Sequence, residues 1–172
     1  NNASASGTLV PMLALGLPTN ATAAVMLAAI AVLTENTPDG FEMAVVGALA
    51  DAVAPVRGAA TQGLRELVEI IDPTAEFVSA LANHAESPDP VVRATVVDLL
   101  RAVRADRVDL FASATQDSDH RVRIEAIRAL VSRDESELIA GLATDPDREV
   151  RIAVADGLST VGGGGVEAVR TL

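Results

Sequence analysis

Along most of the chain, apolar residues recur in a register set by four Val-Arg pairs, Val56-Arg57, Val92-Arg93, Val122-Arg123 and Val150-Arg151. Three residues after each Arg stands a small or β-branched apolar residue: Ala60, Val96, Ala126 and Val154. Seven residues after each Arg stands a leucine: Leu64, Leu100, Leu130 and Leu158. At about 100° per residue these positions share one helix face, so each segment predicts an amphipathic helix with a narrow buried stripe. Six residues before three of the arginines lies an aspartate, Asp51, Asp117 and Asp145, and Ser87 holds that place in the second segment. The tripeptides Ser87-Pro88-Asp89, Asp117-Ser118-Asp119 and Asp145-Pro146-Asp147 carry the residues that favour tight turns and helix N-caps. The pattern therefore predicts a repeated helix–turn–helix unit. First helices are expected over 41–50, 75–84, 106–114 and 135–143, and second helices over 55–70, 90–104, 121–132 and 149–161. Gly162 to Gly165 end the fourth unit, and 166–172 reads as the start of a fifth.

The head of the chain follows no such register. Residues 1–34 contain no charged side chain and are rich in Ala, Leu and Val. That composition meets the first requirement of a membrane span, but Pro11, Gly16, Pro18 and Asn20 interrupt any single helix. The reading is a short apolar piece followed by a helix over 22–34, capped by Asn20 or Thr22. No basic leader precedes it, and a cytoplasmic location is the expectation. The first residue is Asn rather than Met, which points to a processed or excised piece. Residues 1–34 and 35–172 are taken as separate regions, an apolar head and a repeat domain with a truncated last unit.

Composition narrows the class. Of 172 residues only three are aromatic, all Phe, so a β-sandwich or barrel is disfavoured. The absence of cysteine removes disulfides, thiolate metal sites and thiol nucleophiles. The net charge is −11, from 24 acids and 13 bases that are all arginine. An arginine-only basic set has the look of a GC-rich bacterial genome. So acidic a chain repels phosphate backbones, which argues against nucleic acid as a partner.

The recurring Asp, Val-Arg and Leu, and above all the run DPDREVRIAVADGL over 145–158, resemble HEAT repeats of the bacterial HEAT-like kind found in phycobilin lyases. The resemblance spans about 40–172 and implies an all-α fold, an α-solenoid of about four helical hairpins with an apolar N-terminal helix. It also implies that turn aspartates and helix arginines pair within and between units. Asp51, Arg57, Arg93, Asp117, Arg123, Asp145 and Arg151 would then form a structural ladder, with Asp51–Arg57, Asp117–Arg123 and Asp145–Arg151 as pairs, weakened at Ser87 and irregular where Val53 replaces the second turn acid. Residues 1–27, through the initial Asn-Asn, LVPMLALGLP and TAAVML, resemble a segment of the large membrane subunit of tripartite tricarboxylate transporters. The stretch is too short for a permease and reads as a fused or non-native cap on the first repeat.

No catalytic constellation emerges. His84 and His120 stand in turns of neighbouring units without convergent partners. The Asp117/Asp119 and Asp145/Asp147 pairs lack the ligand spacing of a calcium loop and read as turn and cap residues. Gly162–Gly165 is not followed by the Lys-Ser/Thr of a phosphate loop. The expectation is a non-enzymatic scaffold with no cofactor or metal, binding a protein or peptide on the concave face of the second helices. There Gln62, Arg65, Glu66, Asp98, Arg101, Arg128 and Asp156 point away from the buried stripe. The rival reading is a solvated face without a partner. Two further alternatives are ligand handling like that of the phycobilin lyases, and a membrane-associated fragment motivated by 7–33. An open apolar end of the solenoid is a candidate contact for a second copy.

Overall fold

The computed structural model describes residues 40–160, together with Ala28 and Val32, both of which are helical and exposed. The expected helix over 22–34 (apart from those two residues), the resemblance over 1–27, the cap on the first repeat, the glycine run at 162–165 and the fifth unit lie outside the described residues.

The described residues form four helical hairpins and no strand. In the first, α1 (Phe41–Gly47) runs through a 3-10 turn, Ala48–Ala50, into α2 (Ala54–Leu67). The others pair α3 (Ala75–Ala82) with α4 (Pro90–Ala102), α5 (Val108–Ala114) with α6 (His120–Val131), and α7 (Ser136–Ala140) with α8 (Arg148–Thr160). A 3-10 turn, Gly141–Thr144, completes α7. The chain divides into two compact units, residues 1–67 and 68–172. The described part of the first is the single hairpin α1/α2, and the second holds the other three.

Each second helix is specified by the apolar stripe. All twelve register positions are buried, from Val56, Ala60 and Leu64 in α2 to Val150, Val154 and Leu158 in α8, and none exceeds 5% exposure. Between the layers, Phe77 of α3, Phe111 of α5 and Ile139 of α7 are fully buried. Two of the three phenylalanines thus fill the first-helix side of the core, where one large ring does the work of several alanines. Within the second unit, α4, α6 and α8 pack on one another in sequence, and each also packs on the first helix of its own hairpin. A layer of second helices backed by a layer of first helices is the α-solenoid plan.

Local chemistry sets the helix ends. Asp89, Asp119 and Asp147 cap α4, α6 and α8, accepting from the backbone N–H groups of Val91, Arg121 and Glu149 at 2.9, 2.9 and 2.8 Å. Thr74 caps α3 through the N–H of Phe77 at 3.1 Å. Helices α4 and α6 end earlier than the apolar pattern predicts, because Arg104 and Asp134 take left-handed backbone angles, φ 56° and 60°. The N–H groups of Ala105 and Glu135 then close back on the carbonyls of Leu100 and Leu130 at 2.9 and 3.0 Å. This is the six-to-one bond of a Schellman end, made here without glycine.

Candidate functional site

The turn aspartates and helix arginines assemble a repeated junction. Arg93 of α4 sends Nε and Nη2 to the two carboxylate oxygens of Asp117 at 2.8 and 2.7 Å. Arg123 of α6 grips Asp145 in the same fork, both bonds at 2.9 Å. In each case the arginine belongs to one hairpin and the aspartate to the turn of the next. Within a hairpin the pairing differs from expectation. Arg57, Arg123 and Arg151 reach the backbone carbonyls of Asp51, Asp117 and Asp145 through Nη1, at 2.8, 2.8 and 2.7 Å, and not their carboxylates. Arg93 does the same with Ser87, at 2.8 Å. The reason is competition. Each turn carboxylate already accepts the N–H two residues on, from Val53, Asp119 and Asp147 at 2.7, 2.8 and 2.8 Å. At Asp117 and Asp145 the two oxygens also hold the neighbouring unit's guanidinium. Ser87 keeps the turn bond through its hydroxyl, which accepts the N–H of Asp89 at 3.3 Å, but it has no carboxylate to offer.

Burial makes these junctions strong. The side chains of Arg123 and Asp145 are 12% and 5% exposed. The hydrogen bond from Arg93 holds the Asp117 carboxyl below the usual carboxylate range, and raises the Arg93 guanidinium in return. At Asp145 burial pushes the carboxyl upward, yet the bonds from Arg123 and the Asp147 N–H outweigh it and the net shift is downward. Exposed pairs decorate the surface: Arg121 with Asp119 at 2.8 Å and Arg107 with Asp109 at 3.1 Å. His84 is half-buried, and that burial lowers its pKa, so it favours the neutral form. His120 is exposed, with Nδ1 4.0 Å from a carboxylate oxygen of Asp147. Among the described residues no three His, Asp or Glu side chains converge as metal ligands, and no helix is long and apolar enough to cross a membrane.

A groove lies between two of the second helices. Between α6 and α8 lies a cavity of about 340 Å³ floored by Ile124, Ile127, Val131, Ile152 and Gly157, with Arg128, Glu149 and Asp156 on its rim. Gly157 lets the helices approach, since a Cβ there would stand 2.6 Å from Cγ2 of Val131. Of the residues expected on this face, Arg128 and Asp156 are exposed and border the groove. Arg128 donates to Glu125 on its own helix at 2.6 Å. Asp98 and Arg101 stand at the equivalent place on α4, but they are half-buried and joined to each other at 2.6 Å. Gln62, Arg65 and Glu66 are exposed on α2 in the first unit, where Gln62 donates to Glu66 at 2.8 Å. The structure thus brings together only Arg128 and Asp156 at the groove. Ile124 and Ile152 were missed by the charge-based reading. The signal was present in the register: the residue directly after the repeat arginine is Gly58 or Ala94 in the first two units and isoleucine in the last two.

Residues 78–158 match the family model for HEAT repeats. The matched HEAT segment begins inside α3 and ends at the last core leucine of α8. It is shorter than the expected 40–172 and leaves out the α1/α2 hairpin, whose turn carries Val53 in place of an acid. No curated protein matches the chain. Among solved structures, the crystal structure of Cex1p aligns with a TM-score of 0.59 at 15% identity, covering 81% of this chain and 32% of that one. The chain therefore spans about a third of that structure's length, and at this identity the likeness shows the fold alone.

Proposed function

We propose that the chain is a non-enzymatic interaction module whose HEAT segment binds a short stretch of a protein partner in the groove between α6 and α8. The observation that carries this reading is an apolar floor, Ile124 and Ile152, left between two stacked second helices with charged side chains on both rims. The floor offers apolar burial and the rim fixes orientation, the usual division of labour in a recognition groove. One guanidinium and two carboxylates on the rim favour a segment with an apolar anchor and flanking basic side chains. HEAT repeats commonly mediate protein–protein contacts, which supports the class of partner and not its identity.

The test is selection of peptides from a random display library on the wild-type chain, followed by affinity measurements on Ile152→Asp and on Ser79→Asp, an exposed control on α3. Peptides that lose about tenfold or more in affinity on Ile152→Asp, and little on the control, support the groove. Equal binding to all three proteins, or no enriched peptide, refutes it.

A further inference from the structure

A second cavity in the HEAT segment has a different chemistry. It lies at the C-terminal ends of α4 and α6, measures about 490 Å³, and is lined by Arg101, Ala102, Arg104, Ser132 and Arg133. Three of the chain's thirteen bases converge there, in a protein of net charge −11, and no carboxylate is among the lining residues. Helix C-termini attract cations, which explains an arginine in each last turn but not three around one cavity. Two of the three are partly engaged. Arg101 Nη2 donates to Asp98 at 2.6 Å, and Arg133 Nη2 donates to the Ala105 carbonyl at 2.5 Å, which ties the end of α6 to the turn after α4. Arg104 is exposed and sits on the left-handed residue that ends α4, φ 56°. An arginine in that conformation is disfavoured relative to glycine.

One atom of this cluster stands out, Arg101 Nε. It is a buried donor without a hydrogen-bond acceptor, the only such side-chain atom among the described residues. An unpaired buried N–H is costly and calls for an acceptor. Asp98 offsets one of the three positive charges, leaving about two. A phosphate monoester carries about −1.5 to −2 at neutral pH and offers three acceptor oxygens to forked guanidinium donors. We infer that the Arg101, Arg104 and Arg133 cavity binds a phosphate monoester dianion through the guanidinium groups that line it. The site is independent of the α6/α8 groove, and either can fail without the other.

The experiment follows the Arg101 Nε–H resonance of the full chain by NMR during titration with inorganic phosphate, at ionic strength held constant with chloride. O-phosphoserine and a phosphoserine peptide are titrated in parallel, to separate a free phosphate compound from a modified polypeptide. The expected result is a saturable shift of that resonance, weakened about tenfold or more by Arg104→Gln. Circular dichroism of Arg104→Gln reports whether the fold persists, as expected for an exposed side chain. A shift that fails to saturate before ionic strength alone screens the site, or equal affinity in the folded Arg104→Gln protein, overturns the inference. Tighter binding of the peptide than of O-phosphoserine would identify a phosphorylated protein as the source of the group, and the reverse a small metabolite.

Discussion

Replacing Asp145 by serine should separate the two tasks of the turn aspartate, because the chain already carries that variant at Ser87. Serine keeps a hydroxyl for the N–H of Asp147, as Ser87 does for Asp89 at 3.3 Å. It removes both acceptors of Arg123, whose side chain is only 12% exposed. Removing one partner of a buried ion pair costs about 3–5 kcal/mol. Arg123 retains the carbonyls of Asp117 and Ser118 at 2.8 and 3.3 Å, so the lower end, about 3 kcal/mol, is expected. Arg123→Met should cost a similar amount, since it leaves the Asp145 carboxylate, 5% exposed, with its turn N–H and no fork. The double variant should cost about as much as either alone, a coupling energy of about 3 kcal/mol.

Urea unfolding of the four proteins measures the cycle. Hydrogen exchange then locates the loss, which should fall on α6 and α8 and spare α2, because repeat proteins lose stability at the junction that is weakened. The reasoning fails if the coupling is below about 1 kcal/mol, the range of exposed pairs. It also fails if Asp145→Ser destabilises α2 as much as α8.

Asp117 and Asp145 have carboxyls below their unfolded pKa, so their contribution is complete above that value and is lost as pH falls through the folded one. The urea midpoint should decline below about pH 4, and the double Asn variant should flatten that slope. Gly157→Ala places a Cβ 2.6 Å from the Val131 methyl, which a β-branched helical residue cannot easily move; thermal melting should show a loss of about 1–3 kcal/mol. Gly58→Ala meets open space within α2 and should gain about 0.5–1 kcal/mol by the same measurement. Asp134→Gly relieves the left-handed end of α6 and should raise the unfolding free energy measured in urea by about 1 kcal/mol.

The hairpins were legible because the same three apolar positions recur after every repeat arginine, and a helix at that period has one way to bury them. The ends were less legible. An apolar run gives no warning that Arg104 or Asp134 will adopt a left-handed angle, since non-glycine residues rarely do so. The arginine–aspartate ladder was expected within and between units; the between-unit forks are made, while the within-unit contacts run to the turn carbonyls. The HEAT resemblance implied a pair between Asp145 and Arg151, but the Asp145 carboxylate oxygens are taken by Arg123 of the preceding hairpin and by its own turn. The groove was read through its charges, which vary from unit to unit, when its floor depends on the apolar residue after each arginine.

These two features are physically connected. The fork of Arg123 on Asp145 joins the first turn of α6 to the turn that launches α8. Its bidentate geometry fixes direction as well as distance. Gly157 sets the approach at the other end of α8, where it meets Val131. The α6/α8 groove is therefore held at one end by a fork outside it and at the other by the Gly157–Val131 contact in its own floor. Aliphatic packing alone tolerates sliding of one helix past another, because its contacts are non-directional; a buried fork does not. The turn aspartate then does more than add stability. It sets the spacing of Ile124 against Ile152, and the same junction occurs between α4 and α6 through Arg93 and Asp117. There the small Ala94 replaces isoleucine at the floor position and is buried. The junction is shared by both helix pairs, while the residue after the repeat arginine decides whether a given pair presents an apolar floor.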